Sequence, residues 1–282
     1  LVLLEVGIGG LLDTTNVVTG EIAVITSIGL DHQETLGNSL AEIAEQKAGI
    51  FKSGKSAVIA NLAPEAQMVC QRTANDLSVT LYQADQDFSF KNGCFSSSLA
   101  DLNQLKLGLE GTHQEGNAAL ALQAFLLFMA QRDENVDQEA IRTALQTTRW
   151  AGRLEAITDH IYLDGAHNLP ALERLVEFIQ EKIQQGYQAQ ILFGALKRKD
   201  YGGMLTSLTE HLPDATLYVT TFDYQGSLEE QDLGGYTSIA SYRDFIDHFE
   251  ASAGEQDLLF VTGSLYFISE VRACLMNPKS FD

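Results

Sequence analysis

Glu5, His32 and Lys47, all in the first fifth of the chain, are of the types that hold a divalent cation or move charge. Glu5 comes near the end of an apolar run, 1–6, and precedes Gly7-Ile8-Gly9-Gly10, a turn whose glycines reach backbone conformations closed to other residues. His32 follows a second apolar run, 22–28, in Ser27-Ile28-Gly29-Leu30-Asp31-His32. Ligands of open parallel sheets collect at the carboxyl ends of strands, so a carboxylate and an imidazole placed this way can share a site. Lys47 belongs to a helical repeat: Ser39 and Glu42 have the spacing of a capping box, and Leu40, Ile43, Ala44 and Lys47 fall on one face. An amine there is either a snorkelling lysine near a helix end or a desolvated nucleophile able to take up carbon dioxide as a carbamate. The plainer reading of Glu5 is a strand-end carboxylate capping its own turn, and of Asp31-His32 a polar loop start; GxGG alone does not decide.

A second set lies past the middle of the chain. Asp164-Gly165-Ala166-His167-Asn168 follows the apolar run 161–163, again a polar cluster after a strand, or simply the cap of a helix starting near Pro170. Arg153 stands in Trp150-Ala151-Gly152-Arg153-Leu154-Glu155, either as an anion contact or in a surface pair with Glu155 worth less than about 1 kcal/mol. Gln114 and Asn117 open an apolar helix in Gly111-Thr112-His113-Gln114-Glu115-Gly116-Asn117-Ala118, where Thr112 or His113 can serve as the cap. Lys197 and Lys199 are a solvated pair or a cationic rim for carboxylates.

Apolar runs rich in β-branched residues at 1–6, 22–28, 57–60, 161–163, 190–193, 216–220 and 257–261 must position these groups. Their alternation with helical periodicity predicts an α/β fold with largely parallel sheets. Between 78 and 109 the pattern shortens, and Lys91-Asn92-Gly93 reads as a hairpin, followed by helices at 115–130 and 136–145. A new strand–helix series starts at Leu154, which predicts two domains, 1–148 and 149–282, and 225–236 reads as an exposed loop.

With 45% apolar residues the chain can bury a sizeable core, and a formal net charge of −20 argues against nucleic acid or anionic lipid as partners. A small anionic ligand stays possible, because contact pairs outweigh a screened global field. Three cysteines, Cys70, Cys94 and Cys274, form no CxxC pair and fit reduced thiols in a cytoplasmic protein, without zinc. No apolar run reaches the roughly 18 residues of a membrane span.

In order and spacing, Glu5-Val6-Gly7-Ile8-Gly9-Gly10 with Leu12-Asp13-Thr14-Thr15-Asn16, then Ser27-Ile28-Gly29-Leu30-Asp31-His32, then Glu45-Gln46-Lys47-Ala48-Gly49-Ile50 resemble the folylpolyglutamate synthase/dihydrofolate synthase family of the Mur ligase superfamily. Residues 113–118 are similar to its HQxxNA element, 150–155 to WPGRLE with Ala151 for proline, and 164–168 to DGAHNP with Leu169 for proline. Residues 193–200 resemble FGALKDKD, and 262–266 its closing TGSLY. The resemblance covers essentially the whole chain. It implies a Mur-ligase-like architecture: a central ATPase domain with a parallel sheet, truncated at its amino end, and a carboxyl-terminal Rossmann-like α/β domain.

The same resemblance implies an ATP-dependent ligase, cytoplasmic and monomeric, that adds L-glutamate to folate or dihydropteroate through an acyl phosphate. Magnesium would be held by Glu5, His32 and Lys47 as a carbamate, whose oxygens suit a hard cation. Gln114 and Asn117 would approach the adenine, and Arg153, Asp164 and His167 would reach the nucleotide and its phosphates, with Lys47, Asp164 and His167 as catalytic groups. One departure is Leu11, where the family usually has arginine in GGRLDATN; a bidentate donor is lost there.

No GxxxxGK[ST] occurs; Gly54-Lys55-Ser56 lacks the upstream glycine and leads into a strand. The family's phosphate loop lies upstream of Glu5, so the chain is expected to be a fragment that does not ligate efficiently alone. Two other readings are a Mur-type ligase with a different acceptor and a non-catalytic nucleotide-binding remnant.

Overall fold

The computed structural model describes residues 1–276. They form two compact units, Leu1–Gly108 with His113–Thr148, and Leu109–Thr112 with the chain from Arg149 onward. Among the described residues no helix is long and apolar enough to cross a membrane.

The first unit runs β1 (Ile22–Ile25), α1 (Gln33–Leu36), α2 (Leu40–Ala48), β2 (Ser56–Ile59), α3 (Pro64–Asp76), β3 (Thr80–Gln83), β4 (Phe88–Lys91), β5 (Cys94–Ser97), β6 (Asp101–Leu102), α4 (His113–Gln131) and α5 (Gln138–Thr147). β1, β2 and β3 make a parallel sheet in that order, with Ile22 opposite Ser56 and Ser56 opposite Thr80. Side chains alternate along a strand, so β2 serves two cores. Ala57 and Ile59 pack with Ala44, Ala48, Ala66 and Cys70 of α2 and α3, whose small residues let the helices approach closely. Val58 instead joins Leu120 and Leu126 of α4 and the phenylalanines of the β4–β5–β6 meander.

Two local signals act as the sequence predicts. Ser39 Oγ accepts from the Glu42 amide at 3.2 Å while Glu42 Oε2 accepts from the Asn38 and Ser39 amides, closing the capping box of α2. Asn92 and Gly93, with φ of 51° and 72°, make the two-residue turn between β4 and β5.

Residues 1–6, expected to be the first strand, are not one. Among the described residues they belong to no ladder, and Leu1, Val2 and Leu3 are each more than three-quarters exposed. Apolar β-branched composition makes a segment compatible with a sheet, but a strand exists only where a neighbour receives its hydrogen bonds.

The second unit runs β7 (Glu155–Ala156), β8 (Ile161–Leu163), α6 (Leu169–Gln184), β9 (Gln188–Phe193), α7 (Tyr201–His211), β10 (Thr216–Thr220), β11 (Thr237–Ile239), α8 (Tyr242–Ser252), β12 (Asp257–Thr262) and α9 (Leu265–Met276). Its six-stranded sheet has the order β11-β10-β9-β12-β8-β7, parallel except for β7 on the β8 edge. Ile191 and Phe193 of β9 pack with α6 and α7, and Leu192 between them packs with Ile246, Phe249, Phe267 and Val271 of α8 and α9. With helices on both faces, the strands are buried on both sides, which is why they read as continuous apolar runs.

The carboxyl edge of this sheet is closely built. Gly263 has φ of 106° and donates to the Ala166 carbonyl; a methyl group there would lie 2.7 Å from the Gly194 carbonyl oxygen. Glycine therefore satisfies both a left-handed backbone and a backbone-to-backbone contact between the loops that follow β8, β9 and β12.

Candidate functional site

In the first unit the glycine turn is organised by Asp13, which the sequence reading passed over. Asp13 Oδ2 accepts from the amides of Gly7 and Ile8 at 3.0 and 3.1 Å, and Oδ1 from the hydroxyl and amide of Thr15 at 2.6 and 2.9 Å. These donors, the Thr15 hydroxyl foremost, hold its carboxyl down at about 2. Asp13 is thus committed to the turn.

The turn is wedged between the elements that carry the other two candidates. A methyl group at Gly9 would lie 2.7 Å from Leu36 of α1, and one at Gly10 would lie 2.9 Å from the Gln46 carbonyl and 3.1 Å from that of Lys47. The Leu11 amide donates to the Gln46 carbonyl at 2.8 Å. His32 immediately precedes α1 in a left-handed conformation, φ 50°, with its amide on Asp31 Oδ1 and its Nε2 4.0 Å from Asp31 Oδ2. Glu5 and His32 are exposed and Lys47, in the last turn of α2, is half-buried.

Among the described residues no three His, Cys, Asp or Glu side chains form a metal cage. A magnesium-type ion does not need one: it keeps waters and substrate oxygens and takes one or two protein carboxylates. Glu5 and His32 lie on the loops before and after β1, and the Glu5 carboxylate with a carbamate on Lys47 would supply oxygens of that kind.

Gln114 and Asn117 are joined at the start of α4. Asn117 Nδ2 donates to Gln114 Oε1 at 3.0 Å, and Gln114 Nε2 lies 3.1 Å from His113 Nε2. Gln114 is buried while Asn117 faces solvent. Gly54-Lys55-Ser56 is no phosphate cradle: Lys55 pairs with Glu21 at 2.7 Å, and Ser56 begins β2.

In the second unit the candidates converge at the end of β8. Asp164 Oδ2 accepts from the Leu154 amide and Oδ1 from the Ala166 amide, both at 2.9 Å. Burial raises its carboxyl above the ordinary range, while those two amides, Arg153 and His167 pull the other way. A methyl group at Gly165 would meet Leu265 Cδ2 first and Arg153 Nη1 at 2.8 Å, so the glycine leaves space for both side chains. His167 Nδ1 lies 2.8 Å from the Gly165 carbonyl, which can only accept. That bond places a proton on Nδ1 and leaves Nε2 to act.

Two readings of this region are corrected, the plain one of Arg153 and the cationic rim at Lys197. Glu155 pairs with Arg272 of α9, at 3.0 and 3.1 Å, and not with Arg153; it also accepts from the Gly152 amide at 2.8 Å. Arg153 Nη1 instead donates to the Gly152 carbonyl at 3.3 Å. Lys197 is no open cationic rim, because its ammonium is held by Glu229 at 3.0 Å and Asp232 at 2.9 Å. Beside it lies a pocket of about 530 Å3 lined in part by Arg198, Tyr224 and Tyr266, the two tyrosine rings stacked with centroids 4.0 Å apart. Asn168 caps α6, accepting from the Ala171 amide at 3.0 Å.

Residues 1–125 match the Mur ligase middle domain. A dihydrofolate synthase/folylpolyglutamate synthase of Bacillus subtilis is 35% identical over 96% of this chain and 66% of its own length. The folylpolyglutamate synthase of Lacticaseibacillus casei is 31% identical over 98% of this chain and 67% of its own. The chain belongs to the folylpolyglutamate synthase family. A solved bifunctional folylpolyglutamate synthase/dihydrofolate synthase with Mn, AMPPNP and L-glutamate bound superposes with a TM-score of 0.78, at 28% identity, over 96% of this chain and 66% of that one. This member of the folylpolyglutamate synthase family therefore spans about two thirds of the length of its relatives. Leu11 lies on Gly49, whose added methyl would fall 2.5 Å from Leu11 Cβ. Sequence reasoning missed Asp13, Arg272 and the Arg198 pocket. Only Asp13 had a local signal, its place two residues before Thr15, where an Asx turn forms.

Proposed function

We propose that the chain supplies the metal-binding turn and the carboxyl-terminal catalytic cluster of an ATP-dependent amide ligase that joins L-glutamate to folate or dihydropteroate in the cytoplasm. The observation that carries this reading is the half-buried Asp164 with Arg153 and His167 at the end of β8, in a chain of this family. In the first step a carboxylate oxygen of the pterin substrate attacks the γ-phosphorus of ATP, giving an acyl phosphate and ADP. In the second, the amine of glutamate attacks the acyl carbon and phosphate leaves.

Glu5, His32 and Lys47 as a carbamate would hold the divalent ion, taken here as magnesium, which when bound offsets the negative charge of the phosphates. Gln114 and Asn117 offer amide edges to the adenine. Arg153, whose Nη1 donates to the Gly152 carbonyl at 3.3 Å, would present a planar donor to phosphate oxygens, and Asp164, pinned by two backbone amides, would add a carboxylate near it. His167, with Nδ1 spent on Gly165, turns Nε2 outward to take the proton that the incoming ammonium must lose. The Arg198 pocket suits a carboxylate of the amino acid substrate.

The test is ADP release that depends on both pterin substrate and L-glutamate, in a chimera carrying the amino-terminal segment of the Bacillus subtilis relative. Dependence on both, lost in His167→Ala and Asp164→Ala, supports the reading. Release driven by a different acid acceptor would point to another Mur-type ligase, and no release to a nucleotide-binding remnant. The chain alone, which contains no GxxxxGK[ST], is expected to release no ADP.

A further inference from the structure

We infer that Asn16 and Lys52 are positioning residues that lock the 7–11 turn onto the carboxyl end of α2 and so set Glu5 relative to Lys47; this rests on the reading of those two residues as metal ligands. Helix α2 does not end in the usual way. Gly49 at its C-cap is right-handed, φ −58°, so no left-handed cap closes the helix locally. The Glu45, Lys47 and Ala48 carbonyls accept locally from the amides of Gly49, Ile50 and Phe51, but those of Gln46 and Gly49 are served from far away in sequence. The Leu11 amide donates to the Gln46 carbonyl at 2.8 Å, and Asn16 Nδ2 donates to the Gly49 carbonyl at 3.1 Å. Gly49 is glycine because Leu11 occupies the place a side chain would take.

Asn16 binds both sides of this junction, since Nδ2 also donates to the Leu11 carbonyl at 3.0 Å. Which way its amide points is decided by Lys52. The ammonium reaches Asn16 Oδ1 and the Asn16 carbonyl, both at 2.8 Å, and an ammonium can only donate. Oδ1 must therefore face Lys52, and both amide protons are directed at Leu11 and Gly49. Among the described residues Lys52 makes no ion pair, so its role here is this orientation. Without it the amide can flip, bringing Oδ1 against two carbonyl oxygens, and the turn is released from the helix turn that carries Lys47. Asp13 preserves the internal shape of the turn, and Asn16 with Lys52 preserves its address.

The experiment titrates the chain with Mn2+ in bicarbonate buffer, following free Mn2+ by electron paramagnetic resonance, with amide exchange at Leu11 as a second readout. Wild type is compared with Glu5→Gln, Asn16→Ala, Lys52→Met and Lys52→Arg, and with Lys55→Met as a control for loss of a nearby charge. Removing groups that orient metal ligands weakens affinity roughly 10- to 100-fold. The expected result is that loss in Lys52→Met and Asn16→Ala, with Leu11 exchange accelerated, partial recovery in Lys52→Arg, and a change under roughly twofold in Lys55→Met. Mn2+ affinity lost in Glu5→Gln but intact in both Lys52→Met and Asn16→Ala would overturn this inference alone. Wild type that binds no Mn2+, or binding indifferent to Glu5→Gln, would overturn the metal-site reading and this inference with it.

Discussion

Gln123 is the least comfortable side chain of the first unit, and replacing it by methionine should stabilise that unit. It lies in α4 in the row Ala119, Gln123, Leu127, is 0% exposed, and among the described residues neither its amide oxygen nor its nitrogen has a hydrogen-bond partner. An unpaired amide in an apolar interior costs about 1–3 kcal/mol in protein mutational data. Methionine has nearly the same length and volume, flexes to fill the same space, and carries no strong polar group to desolvate. Taking the upper part of that range, about 2–3 kcal/mol, for a side chain buried with both amide atoms unpaired, and allowing about 1 kcal/mol for repacking, Gln123→Met should gain about 1–2 kcal/mol. At roughly 2–4 °C per kcal/mol for a body of this size, that is a rise of roughly 2–8 °C in the melting of the first unit. The assay must separate the units. Trp150, the single tryptophan, belongs to the second unit, so its fluorescence serves as the internal reference while amide exchange in α4 and β2 peptides reports the first. Gln123→Ala, which removes the amide but leaves a cavity, should fall below the methionine variant. A methionine variant no more stable than wild type, with Trp150 unchanged, would refute the reasoning and mean that the amide is paired in solution.

Three further outcomes follow from the geometry. Asp13 titrates at about 2 in the folded chain against 3.8 for an unperturbed aspartate, so its stabilisation is complete above about pH 4 and is lost as pH falls toward 2. Urea midpoints of the first unit should drop across that window in wild type and flatten in Asp13→Ala, whose loss is already present at neutral pH. Gly263→Ala must place a methyl group against the Gly194 carbonyl at a left-handed backbone, and should destabilise the second unit by about 1–3 kcal/mol, read by Trp150 fluorescence in urea. Cys94 is exposed while burial pushes the Cys70 thiol up to about 11, so a thiol reagent should modify Cys94 at once and Cys70 only as the first unit opens.

What was legible in the sequence is what neighbouring residues impose on one another. The Asn92-Gly93 turn, the Ser39–Glu42 box and the Asn168 cap are satisfied within a few residues, so their signals survive in one dimension. The runs at 161–163 and 216–220 are strands because sheets covered on both faces select continuous apolar β-branched residues, and the α/β class follows from their alternation with helices. Family motifs likewise brought Asp164, His167 and Arg153 forward together. The tertiary structure decided everything that depends on a partner distant in sequence. Whether 1–6 becomes a strand depends on a neighbour to bond with, and no pattern within the segment states that. Glu155 takes Arg272, 117 residues away, over Arg153 two residues away, and Lys52 fixes Asn16 across 36 residues. The raised carboxyl of Asp164 comes from burial by its surroundings, which no local motif encodes. Hydrogen-bond partners and desolvation are properties of packed space, and the chain supplies that space only once it has folded.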